Sequence, residues 1–204
     1  LEKGLPNLLR HVSNMKNVYG LPVVVAVNRF PADTDTEIAL VIEKCKELGV
    51  NVRLSTVWAE GGKGGEELAR EVVRLCECES DFRFAYDETA PVKEKIRAVV
   101  TKIYGGEDVA YTAEAEKQIA SLTELGFGGI PVCMAKTQYS FSDDPTLLGA
   151  PEGFYVTVNN IKVSAGAGFV VALTGSMMTM PGLPKKPAAE QIDVDESGRI
   201  SGLF

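Results

Sequence analysis

The sequence has little of what several classes of protein need. It has 21 Lys and Arg against 28 Asp and Glu, which gives a net charge of -7. A protein that holds nucleic acid through bulk charge needs a basic face, so the acidic balance argues against that class. The longest apolar runs, residues 23–27 and 169–173, are far too short to span a bilayer. We therefore expect neither nucleic acid nor a membrane as a partner.

Metal ligands are scarce as well. His11 is the only histidine, and the four cysteines are Cys45, Cys76, Cys78 and Cys133. One residue separates Cys76 from Cys78, whereas the common metal knuckle has two residues between its cysteines. With one histidine, a Ser/His/Asp or Cys/His catalytic set is unconvincing. We expect no metal centre, reduced thiols and a cytoplasmic location.

The composition is otherwise that of a globular protein. The 204 residues are 45% hydrophobic and 24% charged, which is enough for one large domain or two small ones. The sequence opens at Leu1 rather than at Met, so we expect a piece of a longer polypeptide.

Residues 21–79 alternate between strand and helix patterns. The run 23–27 is apolar and β-branched, which is typical of a strand buried on both faces of a parallel sheet. Thr34 and Glu37 have the spacing of a capping box at the start of a helix. A second strand within 50–57 precedes a second helix, whose predicted inward residues are Leu68, Val72, Leu75 and Cys76. This order predicts an α/β sheet with right-handed crossovers.

The rest of the sequence predicts a different architecture. Helices are expected from Pro91 to about 103 and from about 113 to 125, and strands at 131–135, 154–163 and 169–173. The apolar phase flips near Asn159, which predicts a β-bulge. We therefore predict an α/β fold in two parts. Residues 1–90 form a small, mostly parallel sheet domain, and residues 91–204 form an α+β domain with bent strands.

The candidate site lies where the first two strands end. Ligands of open α/β sheets bind beyond the carboxyl ends of the strands. Phe30 and Pro31 follow the first strand, and Leu54 and Trp58 lie at the end of the second. If the strands are neighbours, Phe30 and Trp58 emerge on one edge and can sandwich a flat ring, with stacking worth about 1–3 kcal/mol per ring. The alternative, that both rings only cap the core, stays open.

A glycine-rich segment next to Trp58 is a second candidate. Gly62, Lys63 and Gly64 precede a predicted helix, where free backbone N–H groups and a lysine suit an anion. The segment does not match a Walker A motif, because neither Ser nor Thr follows Lys63. It is equally consistent with a flexible turn.

Several stretches resemble one enzyme family. Residues 22–30, 91–96, 131–140, 164–169 and 179–185 are similar to formate–tetrahydrofolate ligases (formyltetrahydrofolate synthetases), in the family's order. The most specific matches are the Lys-Thr-Gln-Tyr segment at 136–139 and the Met-Pro-Gly-Leu-Pro segment at 180–184. The resemblance covers nearly the whole sequence and corresponds to the C-terminal portion of the family.

The resemblance implies a reaction and a site. The family joins formate to tetrahydrofolate with ATP and Mg, through formyl phosphate, to give 10-formyltetrahydrofolate. It implies that Phe30, Trp58, Leu54 and Pro31 line the pterin or purine pocket, with a folate or purine-like small molecule as the ligand. The family's phosphate-binding loop and catalytic arginine are not among these residues, so the resemblance implies no catalytic residue here and no turnover by this chain alone. It implies as partners an N-terminal ATP-binding domain and further copies of the enzyme. The alternative function is a non-catalytic binding or oligomerisation module.

Overall fold

The structure, a computed structural model, describes residues 1–175, 177 and 185–202. The helices are α1 (Leu5–Ser13), α2 (Asp35–Glu47), α3 (Val57–Glu60), α4 (Glu66–Cys76), α5 (Val92–Ala98) and α6 (Ala113–Glu124). The strands are β1 (Val24–Asn28), β2 (Asn51–Ser55), β3 (Asp108–Tyr111), β4 (Val132–Ala135), β5 (Tyr155–Ser164), β6 (Phe169–Thr174), β7 (Asp193–Val194) and β8 (Ile200–Ser201). The segment at 180–184 that supported the resemblance lies outside the described residues.

The predicted α/β fold class is confirmed by two sheets that contain parallel strands. In the first, β1 runs parallel to β2, with Asn28 opposite Ser55 at the carboxyl ends. The intervening helix α2 begins at the predicted capping box, in which the Thr34 side chain accepts from the Glu37 N–H and the Glu37 side chain accepts from the Thr34 N–H. Gly49, at φ 63°, follows the end of α2, where only glycine turns without strain.

The prediction that the first strand is buried on both faces is wrong. Val25 packs against Val12, Cys45 and Val50 in a small core, but Ala26 is exposed. The described part of this sheet has two strands, and its second face is covered only in part by α4. The uncovered part of this face forms a groove of about 330 Å³, and its lining residues include Val24, Val72 and Leu75.

The predicted inward face of α4 is wrong in part, since only Leu68 and Leu75 of its four residues are half-buried. Val72 and Cys76 are exposed, and the buried residue of the helix is Glu71. Its carboxylate accepts from Asn51 Nδ2 at 2.7 Å and from the Arg53 guanidinium at 3.0 Å. Charge-assisted hydrogen bonds from Asn51 and Arg53 therefore join the helix to β2.

The second sheet has the strand order β3-β5-β6-β4 and is mixed. β3 is parallel to β5, β4 is parallel to β6, and β5 is antiparallel to β6. The predicted bulge is confirmed, because the register between β5 and β6 shifts between Val158 and Asn160. Helices α5 and α6 cover the sheet, and a core forms around Ile96, Ile119 and Val170. The predicted burial of Ala115, Ile119 and Leu122 is confirmed.

The two cores come from different parts of the sequence, and α1 together with the helical turn that follows it at Asn14–Val18 contacts both parts. Val12 belongs to the first core, whereas Asn14 donates from Nδ2 to the Ile103 carbonyl at 2.8 Å. Arg10 forms an ion pair with Glu152 at 3.0 Å. The division into domains at residues 90 and 91 stays a prediction.

Candidate functional site

The parallel pairing of β1 and β2 places the two predicted aromatic residues at one edge. The last ladder bond runs from the Arg29 N–H to the Ser55 carbonyl at 2.9 Å, and both chains leave the sheet there. Phe30 follows directly on one side, and Trp58 lies on the short helix α3 on the other. Their ring centroids are 6.0 Å apart and their planes meet at 55°. The structure therefore brings Phe30 and Trp58 together, as a tilted pair in mutual contact.

The pair is open to solvent. The Trp58 side chain is among the most exposed apolar groups, with 64% of the residue accessible, and Phe30 is 44% accessible. Leu54, on β2, is also exposed at 37%, and Pro31 is exposed beside Phe30. Rings that only cap a core would be covered, so the exposure favours a ligand-facing role over a purely structural one.

The turn after β2 fixes the base of Trp58. The Thr56 carbonyl accepts from the N–H groups of Ala59 and Glu60, which closes the single turn of α3. Thr56 also donates from its hydroxyl to the Glu60 carboxylate at 2.5 Å. The Trp58 backbone is therefore held inside a closed turn, while its indole is exposed to solvent.

The glycine-rich segment completes this turn. Gly61, with φ 62° and ψ -148°, adopts a conformation open only to glycine. The chain then returns so that the Gly64 carbonyl accepts from the Thr56 N–H at 3.0 Å. A Cβ on Gly64 would lie 2.5 Å from the Thr56 carbonyl carbon, so the close approach requires glycine.

The anion-binding prediction for Gly62, Lys63 and Gly64 stays a prediction. The helix that follows, α4, carries Glu66 and Glu67 in its first turn, and negative side chains there already complement the helix dipole. An anion at this end would have to share the region with both carboxylates. The structural role of the glycines, by contrast, follows directly from the backbone geometry.

The turn after β1 contains a residue that sequence reasoning missed. Asp33 accepts from the Phe30 N–H through Oδ2 at 2.7 Å, and the Asp33 N–H donates to the Phe30 carbonyl at 3.0 Å. A proline followed two residues later by an aspartate is a turn signal, and it could have drawn attention to Asp33.

Charge around the pair is mixed. Arg29 forms an ion pair with Asp35 at 2.8 Å, with 38% and 88% of the two side chains exposed. Hydrogen bonds from the backbone and side chain of Thr34 hold the pKa of Glu37 below its usual value. Glu37 therefore stays ionised at neutral pH, where it stabilises the start of α2 beside Phe30.

The remaining candidates do not gather at this edge. His11 lies on α1 and packs on Phe141, with the two ring centroids 4.7 Å apart. Burial lowers the pKa of the His11 imidazole. All four cysteines are free thiols. Within residues 1–175, 177 and 185–202, no three His, Cys, Asp or Glu side chains are grouped so that they could hold a metal ion. The same residues include no helix that is both long and apolar enough to cross a bilayer.

The comparison with protein families covers the whole sequence. The family model described as formate–tetrahydrofolate ligase matches residues 1–204. The chain belongs to the formate–tetrahydrofolate ligase family. The expected resemblance is therefore confirmed, and the family uses ATP with Mg, and tetrahydrofolate, as substrates. Because the described residues hold no metal-ligating cluster, no role for Mg is assigned to them.

Proposed function

We propose that this chain supplies the tetrahydrofolate-binding part of a formate–tetrahydrofolate ligase, with the pterin ring held between Phe30 and Trp58. The observation that carries the proposal is the exposed aromatic pair, with centroids 6.0 Å apart, at the carboxyl ends of β1 and β2. Leu54 and Pro31 extend the apolar surface on either side. The family match supplies the chemical class of the ligand.

A modest movement of the side chains would admit a ring. Two stacking contacts of about 3.5 Å each require a separation of about 7 Å between the outer rings. The present separation is 6.0 Å, and the planes are tilted by 55°. Because both side chains are largely exposed, each can rotate without displacing core residues. The ligand would replace one ring–ring contact by two ring–ligand contacts.

In the proposed reaction, a phosphoryl group passes from ATP to formate and gives formyl phosphate and ADP. The N10 amine of tetrahydrofolate then attacks the formyl carbon, phosphate leaves, and the amine loses its proton. Phosphoryl transfer needs positioned phosphate donors and a metal ion. We assign these to an ATP-binding part of the enzyme outside this sequence, and we assign no catalytic residue to these 204 residues. The chain alone is expected to show no turnover.

The proposal extends to the partners of this chain and to its location in the cell. The partners are the ATP-binding domain of the same enzyme and, for the whole enzyme, further copies of itself. The free thiols support a cytoplasmic location.

Trp58 provides the test, because it is the only tryptophan in the sequence. Titration of the chain with tetrahydrofolate should quench and shift the Trp58 emission in a saturable way. Titration with ATP is the control and should leave the emission unchanged. The far-ultraviolet circular dichroism spectrum must show folded chain throughout. Unchanged emission from the folded chain at millimolar tetrahydrofolate would contradict the proposal.

A second candidate function, a non-catalytic association module, is favoured by a different surface. Phe82 and Phe84 lie in the segment between α4 and α5, contact each other at 5.2 Å and are 51% and 60% exposed. Exposed apolar pairs of this kind are frequent at protein interfaces. Sedimentation at several concentrations separates the candidates. Association that Phe82→Ser weakens, without tetrahydrofolate binding, would favour the module.

A further inference from the structure

We propose that Asp33 is a positioning residue for the tetrahydrofolate site and acts by holding Phe30; this inference rests on the function proposed above. The Phe30 N–H lies one residue beyond the last ladder bond of β1, which Arg29 makes to Ser55. It therefore needs an acceptor outside the sheet. The Asp33 carboxylate supplies that acceptor at 2.7 Å.

The contact is part of a closed turn. The Asp33 N–H returns to the Phe30 carbonyl at 3.0 Å, so two hydrogen bonds join the same two residues. Pro31 lies between them and restricts the backbone further, because its ring fixes φ. A hydrogen bond to a carboxylate is stronger than one between neutral groups. Asp33 thus holds the Phe30 backbone at two atoms, the amide nitrogen and the carbonyl oxygen.

The turn is itself anchored. Thr34 follows Asp33 directly and is the N-cap of α2, with its side chain bonded to the Glu37 N–H at 3.3 Å. The Glu37 carboxylate accepts from the Thr34 N–H at 3.0 Å. The position of Asp33 is therefore set by the start of a 13-residue helix. Through Asp33, Phe30 is tied to α2 as well as to β1.

This anchoring matters because the phenyl ring has little other support. Phe30 is 44% exposed and contacts Trp58 as a tilted neighbour. Where packing does not fix a ring, its position depends on the backbone that carries it. Without the Asp33 carboxylate, the turn that carries Phe30 can adopt more conformations. Ligand binding must then restrict the turn to the one in which the Phe30 ring contacts the ligand, and the lost conformational entropy weakens binding.

The test compares four single variants by calorimetric titration with tetrahydrofolate. Asp33→Ala removes the acceptor and should raise the Kd about 3- to 10-fold, because only part of the stability lost with the bond is transmitted to the bound ligand. Asp33→Asn keeps an acceptor oxygen and should restore affinity to within about twofold. Glu43→Ala removes an equal charge from an exposed position of α2, with no hydrogen bond to the Phe30 backbone, and should bind as wild type. Phe30→Leu removes the aromatic ring and is the reference for loss of stacking.

A double variant separates positioning from a general structural effect. If Asp33 acts through Phe30, adding Asp33→Ala to Phe30→Leu should weaken binding no further. Full additivity of the two effects would overturn the proposal.

Should circular dichroism show that Asp33→Ala does not fold, Asp33→Glu takes its place, because it keeps the charge but moves the carboxylate by one methylene. An unchanged Kd for that variant would overturn the proposal equally.

The outcomes also separate this inference from the function on which it rests. If Phe30→Leu weakens binding and Asp33→Ala does not, the positioning role is wrong and the tetrahydrofolate site stands. If wild type does not bind, or Phe30→Leu binds as tightly as wild type, the proposed site is wrong and the role of Asp33 falls with it.

Discussion

The ring of Phe30 lies 6.0 Å from the ring of Trp58, with the two planes at 55°. This is the separation of aromatic side chains in direct contact. A flat ligand between them must break that contact and gain one on each face. Both rings should therefore contribute to affinity, and neither should be replaceable by an aliphatic group without loss.

Replacement of the indole gives the first prediction. Trp58→Ala should weaken tetrahydrofolate binding by about 1–3 kcal/mol, because one stacking face is lost. Trp58→Phe should keep most of the affinity, since a smaller aromatic face remains. Isothermal titration calorimetry measures both.

The matched control is another exposed aromatic residue. Phe82 is 51% exposed and packs on Phe84 at 5.2 Å, in the segment between α4 and α5. Phe82→Ala should bind tetrahydrofolate as wild type. Equal losses for Trp58→Ala and Phe82→Ala would mean that the effect is not specific to the proposed site.

The second prediction concerns the glycine turn beneath Trp58. Gly64→Ala should lower the melting temperature and weaken tetrahydrofolate binding, because the added Cβ would lie 2.5 Å from the Thr56 backbone. Gly62→Ala is the control. A Cβ at Gly62 meets nothing within 4 Å, so this change should be neutral or stabilise the chain by up to about 1 kcal/mol. Differential scanning calorimetry compares the two, and similar melting temperatures would contradict the turn geometry.

The third prediction is a pH dependence of stability. Hydrogen bonds from Arg74 and Asn51, with the charge of Arg53, lower the pKa of Glu71 from 4.5 to about 2. A carboxyl whose pKa is lowered by folding stabilises the native state above its unfolded pKa. This contribution should be complete above pH 4.5 and be lost as the pH falls toward 2. Thermal melts across that range measure it.

Two variants isolate the contribution of Glu71. Glu71→Gln should have a lower melting temperature than wild type at pH 7, and the difference should shrink as the pH falls. Glu66→Gln loses an exposed pair with Arg70, whose side chains are 56% and 69% exposed, and one charge at the start of α4, so it should change stability by less than Glu71→Gln does. A difference between Glu71→Gln and wild type that stays constant with pH would show that the carboxylate is not the cause.

The fourth prediction tests whether the two cores melt separately. Ile96 is fully buried in the second core, so Ile96→Ala should destabilise that core by about 2–5 kcal/mol. The fluorescence emission of Trp58 reports on the unfolding of the first part of the chain, in which Trp58 lies. If the parts are separate domains, one component of the circular dichroism transition should move to lower temperature while the transition in Trp58 emission stays nearly in place. A joint shift of both transitions would show one cooperative unit.

The sequence predicted those structural features that depend mainly on residues close to one another in the chain. Thr34 and Glu37 fixed the start of α2, because a capping box needs only neighbouring groups. The change of apolar phase near Asn159 located the bulge in β5. Phe30 and Trp58 could be paired from the sequence because parallel strands bring their carboxyl ends to one edge.

Burial that depends on distant parts of the chain was not predictable in the same way. The pattern of α4 favoured an apolar inward face, but Glu71 is buried there because Asn51 and Arg53 of β2 each donate a hydrogen bond to its carboxylate. Those contacts appear only once β2 and α4 are packed. Asp33 was missed for a different reason: its spacing from Pro31 indicates a turn, but the sequence does not show that the Phe30 N–H donates to its carboxylate.

The most direct test of the account is a crystal structure of this chain with tetrahydrofolate bound. We predict the pterin ring between Phe30 and Trp58, with the two side-chain rings nearly parallel and their separation increased from 6.0 Å to about 7 Å. Density for the pterin elsewhere on the chain, with Phe30 and Trp58 still in contact, would contradict it.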